Sequence, residues 1–319
     1  ALAVARRRLT FEELFLLCTG LQLLRRRRTD LSGPVCHPVD MAPFYDALSF
    51  KLTGAQQRAV NDAISDMCSR RPMNRLCQGD VGSGKTMVAA ACIYFAAKNG
   101  CQSALMAPTE LLAQQHYRSL APLLEQFGIR CALLTGSLPA KTKKSIRQQL
   151  SGGEIDFVVG TQALISDGVD FSALGLVVAD EQHRFGVAQR SALSAKAENP
   201  HILVMSATPI PRTLALIIYG DLDISVIDEL PPGRQKVDTF AVPDSYHTRV
   251  FNFIRKHVAD GRQVYIVCPL VGTADTIPNE KKAVTDYTAK LQNEIFPALR
   301  VACVHGKMKA AEKEKVMAA

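Results

Sequence analysis

Tryptophan is absent, and all aromatic residues together make up only 6% of the chain. An aromatic platform for stacking successive bases is therefore not expected. Any nucleic acid should be gripped through its backbone instead. No apolar run reaches the roughly 18 residues that a membrane-crossing helix needs, so no membrane contact is expected. The opening residues carry no signal-peptide pattern, because their arginines are followed by mixed charged and apolar residues. The nine cysteines include no C-x-x-C pair. That spacing argues against a disulfide frame or a zinc site and for reduced thiols in a cytoplasmic protein. Internal repeats and low-complexity tracts are also missing.

What is present is enough for a large core. The chain has 319 residues, 47% of them hydrophobic, which makes two domains the natural expectation. A net charge of +8 permits a nucleic-acid partner without requiring one. Nothing in the composition suggests an obligate dimer, and a monomer is expected.

The most informative segment is Gly79-Asp-Val-Gly-Ser-Gly-Lys-Thr86, which fits the phosphate-loop pattern G-x-x-x-x-G-K-[ST]. Gly79, Gly82 and Gly84 let the backbone curl so that successive N–H groups, that of Ser83 among them, point inward. Lys85 would reach the β and γ phosphates of ATP, and the Thr86 hydroxyl would ligate Mg²⁺. The residues that follow form helix readily, so a helix N-terminus should face the phosphates. About a hundred residues later, the apolar run from Leu174 ends in Asp180-Glu-Gln-His183. Asp180 stands where a second Mg²⁺ contact belongs, and Glu181 is placed to orient the attacking water. The two segments together describe a nucleoside-triphosphate hydrolysis site.

From residue 50 to about 240, short apolar strands alternate with helices, the pattern of an α/β parallel sheet covered on both faces. Strands are expected at 102–107, 131–135, 155–160, 174–179 and 202–206. Helices are expected near 54–69, 85–98, 109–126, 139–151 and 187–196. The strand before the phosphate loop, from Asn74, is short and barely apolar. Residues 1–49 read as a helical, arginine-rich linker broken by Pro34, Pro38 and Pro43. Its arginine runs fit either a solvated helix face or a contact with nucleic-acid phosphate or a preceding domain. The Leu230-Pro-Pro-Gly-Arg cluster marks a hinge near 234. Residues 235–319 then open a second α/β unit: Lys236–Val242, a helix near 244–260, a strand at 263–268, a charged helix near 281–294, and then Val301-Ala-Cys-Val-His305. That unit is shorter than such a domain normally is, so an incomplete second domain in a longer protein is expected.

Further segments point past plain hydrolysis. Ser206-Ala-Thr208 follows an apolar strand, where small hydroxyls can bond the Asp180–His183 loop and sense the γ-phosphate. Ala107-Pro108-Thr109, Thr135-Gly136-Ser137 and Gly160-Thr161 each come just after a strand. Small residues with exposed N–H groups suit phosphate backbones, although any one of them would also serve as an ordinary turn. Gln56 lies just after Thr53, which caps a helix. Its amide suits an adenine edge, or it is simply a surface glutamine.

Taken together, these residues resemble superfamily 2 helicases. Met106-Ala-Pro-Thr-Glu-Leu-Leu-Ala-Gln-Gln-His116, the run from Asp180 to Arg190, the run from Met205 to Leu216 and the run from Tyr219 to Arg234 look like the bacterial RecG family of ATP-dependent DNA helicases. The transcription-repair coupling type shares some of these elements but usually has Glu where Gln182 stands. The resemblance implies a fold of two RecA-like domains, an ATP-binding one over 50–234 and part of a second over 235–319. It implies a motor that uses ATP and Mg²⁺ to remodel branched DNA, both forks and Holliday junctions, in recombination and repair. It makes Gln56 an adenine contact, Gln182, His183, Ser206 and Thr208 the coupling residues, and Pro108, Thr109, Thr135, Gly136, Ser137, Gly160 and Thr161 contacts to the DNA backbone. Gln162 stands where the family commonly has His. The family's wedge domain has no counterpart in these residues, and its arginine-finger motifs would lie past Ala319. DNA is favoured over RNA by the resemblance alone. Other readings left open are a related superfamily 2 motor and a module that grips DNA when ATP binds without turning it over.

Overall fold

The computed structural model describes residues 2–29, 32–180, 192–207, 222–231, 237–268, 284–308, 312, 313, 315 and 316. The chain forms two compact units, Ala1–Gln235 and Lys236–Ala319. Among the described residues, no helix is long and apolar enough to cross a membrane.

The first unit is built on a parallel sheet. Its strands are β1 (Asn74–Gly79), β2 (Gln102–Met106), β3 (Cys131–Leu134), β4 (Phe157–Gly160), β5 (Leu174–Asp180), β6 (His201–Ser206) and β7 (Asp223–Ile227). Their order across the sheet is β3-β4-β2-β5-β6-β1-β7, and every pairing is parallel. Helices α3 (Gly54–Met67), α4 (Lys85–Lys98), α5 (Glu110–Glu125) and α6 (Ala140–Ser151) make the crossovers and cover the sheet. β4 and β5 are buried along their whole length and read as continuous apolar runs, as parallel strands between covered faces do. α4 is apolar nearly all round because it is enclosed, touching α3, α5 and the strands beside it.

The strands and helices expected from the sequence up to residue 180 are present within a residue or two at each end. Two features are not legible in the sequence. β1 looked weak, yet all six of its residues are buried because it lies between β6 and β7. Its one guanidinium is neutralised there. Arg75 Nε donates to Asp66 Oδ2 at 2.7 Å, and Arg75 also bonds Ser225 Oγ and Asp62 Oδ2 at 2.8 and 3.4 Å. β7 was not expected at all. It is an edge strand, with alternating exposure in place of an apolar run.

The segment between α1 (Leu2–Thr29) and α3 belongs to the core of this unit. α1 itself is exposed wherever its side chains are described. Cys36 and Phe44, the latter in α2 (Ala42–Asp46), join the main hydrophobic cluster. Phe44 packs against Tyr94 and Phe127 with ring centroids 5.3 and 6.3 Å away. Polar ties hold the same segment. Asn99 pairs with both backbone groups of His37, and His201 Nε2 donates to the carbonyl of Pro34 at 2.7 Å.

The second unit contains α7 (His247–Ala259) and α8 (Val284–Lys290), the latter continued by a π-helical turn, Leu291–Ile295. Ile254, Leu291 and Phe296 form its small core. The strand expected at 263–268 is absent, and the described residues of 237–242 and 301–305 likewise show no strand pairing. A strand exists by its ladder of hydrogen bonds to a neighbour, and no described residue of this unit offers one. The helix expected near 187–196 falls mostly outside the described residues, which show only a helical turn at 192–194.

Candidate nucleotide site and nucleic-acid rim

The phosphate loop runs from the end of β1 into α4. Gly82 and Gly84 take φ of 73° and 87°, conformations that side chains disfavour. A Cβ on Gly84 would stand 2.1 Å from Gln56 Nε2. Lys85 is only 9% exposed, and its ammonium donates to the carbonyls of Gly79 and Asp80 at 2.7 and 2.8 Å. The Ser83 hydroxyl is buried without a hydrogen-bond partner. An unsatisfied buried hydroxyl and an ammonium folded back onto its own loop are what a polyphosphate would relieve. Together with the Thr86 hydroxyl at the first turn of α4, this donor set fits a nucleotide and its cation.

Gln56 is 1% exposed and braces this loop from the side. Its Oε1 accepts from Thr53 N at 2.9 Å while the Thr53 hydroxyl accepts from Gln56 N, a capping box that starts α3. Its Nε2 donates to Ser83 O at 2.8 Å. Both ends of the amide are thus engaged within the protein.

Asp180 ends β5, two strands from β1, and is 9% exposed. Its Oδ2 lies 2.6 Å from His116 Nε2 on α5. Sequence reasoning gave His116 no role; the only signal was its place at the end of the Leu-Ala-Gln-Gln-His run. β6 separates β5 from β1, and its last residue, Ser206, is in register with Gln78 while Met205 is in register with Asp180. Ser206 is therefore on the strand between the loop and the carboxylate. Glu181, Gln182, His183 and Thr208 lie outside the described residues.

The other half of the same sheet edge gathers the three turns. β3, β4 and β2 are consecutive neighbours, so the residues after them share one rim. Ala107 N donates to Gly160 O at 2.8 Å, joining two of the turns. Ser137 N donates to Glu110 Oε1 at 2.9 Å, and Thr135 and Ser137 hydroxyls lie 3.3 Å apart. Lys143 reaches the Gly136 carbonyl. Thr109 is exposed and caps α5 through its hydroxyl. Pro108 and Thr161 are half-buried, and Thr161 O accepts from Leu164 N. Gly160 has a packing reason to be glycine, since a Cβ there would stand 2.4 Å from Leu134 O.

The model of the DEAD/DEAH box helicases matches residues 53–217, a stretch that contains the loop, the rim and the Asp180 strand. The chain belongs to the DEAD/DEAH box helicase family. Within it, the likeness to RecG proteins is strong. The chain is 46% identical to the ATP-dependent DNA helicase RecG of a Synechocystis species, over all of this chain and 38% of that protein. It is 44% identical to the same helicase of Bacillus subtilis, over 99% of this chain and 47% of that protein. A solved structure of RecG bound to a three-way DNA junction matches 99% of this chain and 41% of its own, with a TM-score of 0.81 at 41% identity. In sequence and fold the chain is similar to RecG over nearly all of its residues, and it spans less than half the length of these curated relatives.

Proposed function

We propose that this chain is the ATP-driven motor core of a RecG-type DNA helicase, acting in the cytoplasm as a monomer on branched DNA such as forks and Holliday junctions. The observation that carries the reading is the division of one sheet edge. The buried, partnerless Ser83 hydroxyl and the folded-back Lys85 support a phosphate site at one half, and three small-residue turns crowd the other half. The relative seen with a three-way junction supports the choice of branched DNA.

In this reading the loop amides from Gly79 to Thr86 and the Lys85 ammonium bind the β and γ phosphates of ATP. Thr86 and Asp180 would hold Mg²⁺, which neutralises charge on the phosphates. Glu181 orients the attacking water, and Gln56, whose amide is engaged at both ends, would have to release Ser83 O to meet an adenine edge. Gln182, His183, Ser206 and Thr208 relay the state of the γ-phosphate. Pro108, Thr109, Thr135, Gly136, Ser137, Gly160 and Thr161 face the DNA backbone, so affinity should ignore sequence and fall steeply with salt.

Lys85→Ala should abolish tight nucleotide binding in an equilibrium titration with a fluorescent ATP analogue, and DNA-stimulated turnover should vanish with it. Unchanged affinity would sink the assignment of the loop.

A further inference from the structure

His116 has a place in this geometry that the motor reading above does not use. Its Nε2 is 2.6 Å from Asp180 Oδ2. The two side chains are only 11% and 12% exposed, so water competes little for the contact. A short hydrogen bond to a carboxylate fixes that carboxylate's rotamer. The second oxygen, Oδ1, can then face a cation or its water. The helix that carries His116 begins at the nucleic-acid rim. Thr109 caps α5, and Glu110 Oε1 accepts from the backbone of Ser137 in the turn after β3. At helical rise, Glu110 and His116 are about 9 Å apart along the axis. One helix therefore grips a turn of the rim at its start and the Asp180 carboxylate two turns later.

We propose that His116 is a positioning residue that orients Asp180 for the cation of the nucleotide site, and that α5 ties this orientation to occupancy of the rim. The proposal rests on the nucleotide-site reading given above. The competing account is a buried histidine that takes the nearest carboxylate for its own satisfaction.

The test compares wild type, His116→Ala and His116→Gln. Gln offers an Nε2 donor near the position of the imidazole Nε2, whereas Ala removes it. Binding of a fluorescent ATP analogue is titrated with Mg²⁺, ATP turnover is titrated with forked DNA, and thermal melting reports folding. For His116→Ala, the Mg²⁺ concentration at half-saturation should rise roughly 10- to 100-fold, the range seen when a group behind a metal ligand is lost. Stimulation of turnover by DNA should shrink by roughly two- to tenfold, with DNA affinity in the absence of nucleotide unchanged. His116→Gln should recover most of both. A Mg²⁺ midpoint in His116→Ala within about twofold of wild type would overturn the proposal, as would a Gln variant as impaired as Ala at the same melting temperature. Should His116→Ala fail to fold, His116→Gln decides alone: a wild-type Mg²⁺ response supports the role and its loss refutes it. A wild-type protein that binds no nucleotide would instead refute the site reading, a result distinct from a working site indifferent to His116.

Discussion

Two short segments make an instructive pair. Asn74–Gly79 is polar, carries an arginine, and is a fully buried strand. Residues 263–268, Gln-Val-Tyr-Ile-Val-Cys, are far more strand-like in composition, yet they form no strand and Val267 is 93% exposed. β-branched and aromatic residues suit a pleated, half-buried surface, but that preference is realised only when neighbours supply the surface. β1 has β6 and β7 on its two sides; the other segment has no described strand beside it. Composition proposes a strand, and the ladder decides it.

The contrast can be broken most forcefully at β1. Asp66→Ala should leave the Arg75 guanidinium short of its closest partner and cost about 3 kcal/mol, read as a lower urea midpoint with an unchanged slope. No loss of stability would mean that Asp62 and Ser225 suffice and that β1 tolerates its arginine on weaker terms.

A pH titration probes the start of the adjacent strand. His201 is fully buried in β6, accepts from Met73 N at 2.9 Å and donates to Pro34 O. Burial holds its pKa down, from 6.5 to about 4. A depressed folded pKa means the unfolded chain takes up the proton first, so this contribution is intact above about pH 6.5 and is lost as pH falls toward about 4. His201→Gln retains an acceptor and a donor without the titration. Its melting temperature should fall less than that of wild type across this window, and parallel curves would remove His201 from the account.

The smallest effect is expected in the other member of the pair. Val267→Asp should change stability by less than about 0.5 kcal/mol, because an exposed side chain has no packing to lose. A large loss would show that 263–268 is buried in solution after all.

Much of the nucleotide site was legible because its geometry is local. Gly79 to Thr86 are consecutive, and glycines at 82 and 84 announce positive φ by their identity. The three rim turns were visible as small residues after apolar strands, and the sheet order made them neighbours. His116 was not legible, since its partner is 64 residues away and a histidine on a helix announces no partner. The same holds for residues 33–48, which read as linker because their prolines break the periodicity. They pack into the core through Cys36, Phe44 and backbone groups that carry no sequence signal.

The sequence by itself determined the phosphate loop, the α/β alternation up to Asp180 and the Thr53 cap of α3, because each depends on residues within a turn or a strand of one another. Only the tertiary structure decided that a polar segment becomes an inner strand, that an edge strand closes the sheet beside it, and that α5 reaches from the rim to Asp180. Those outcomes depend on hydrogen bonds and burial between residues far apart in the chain, and periodicity along the chain does not encode such pairings.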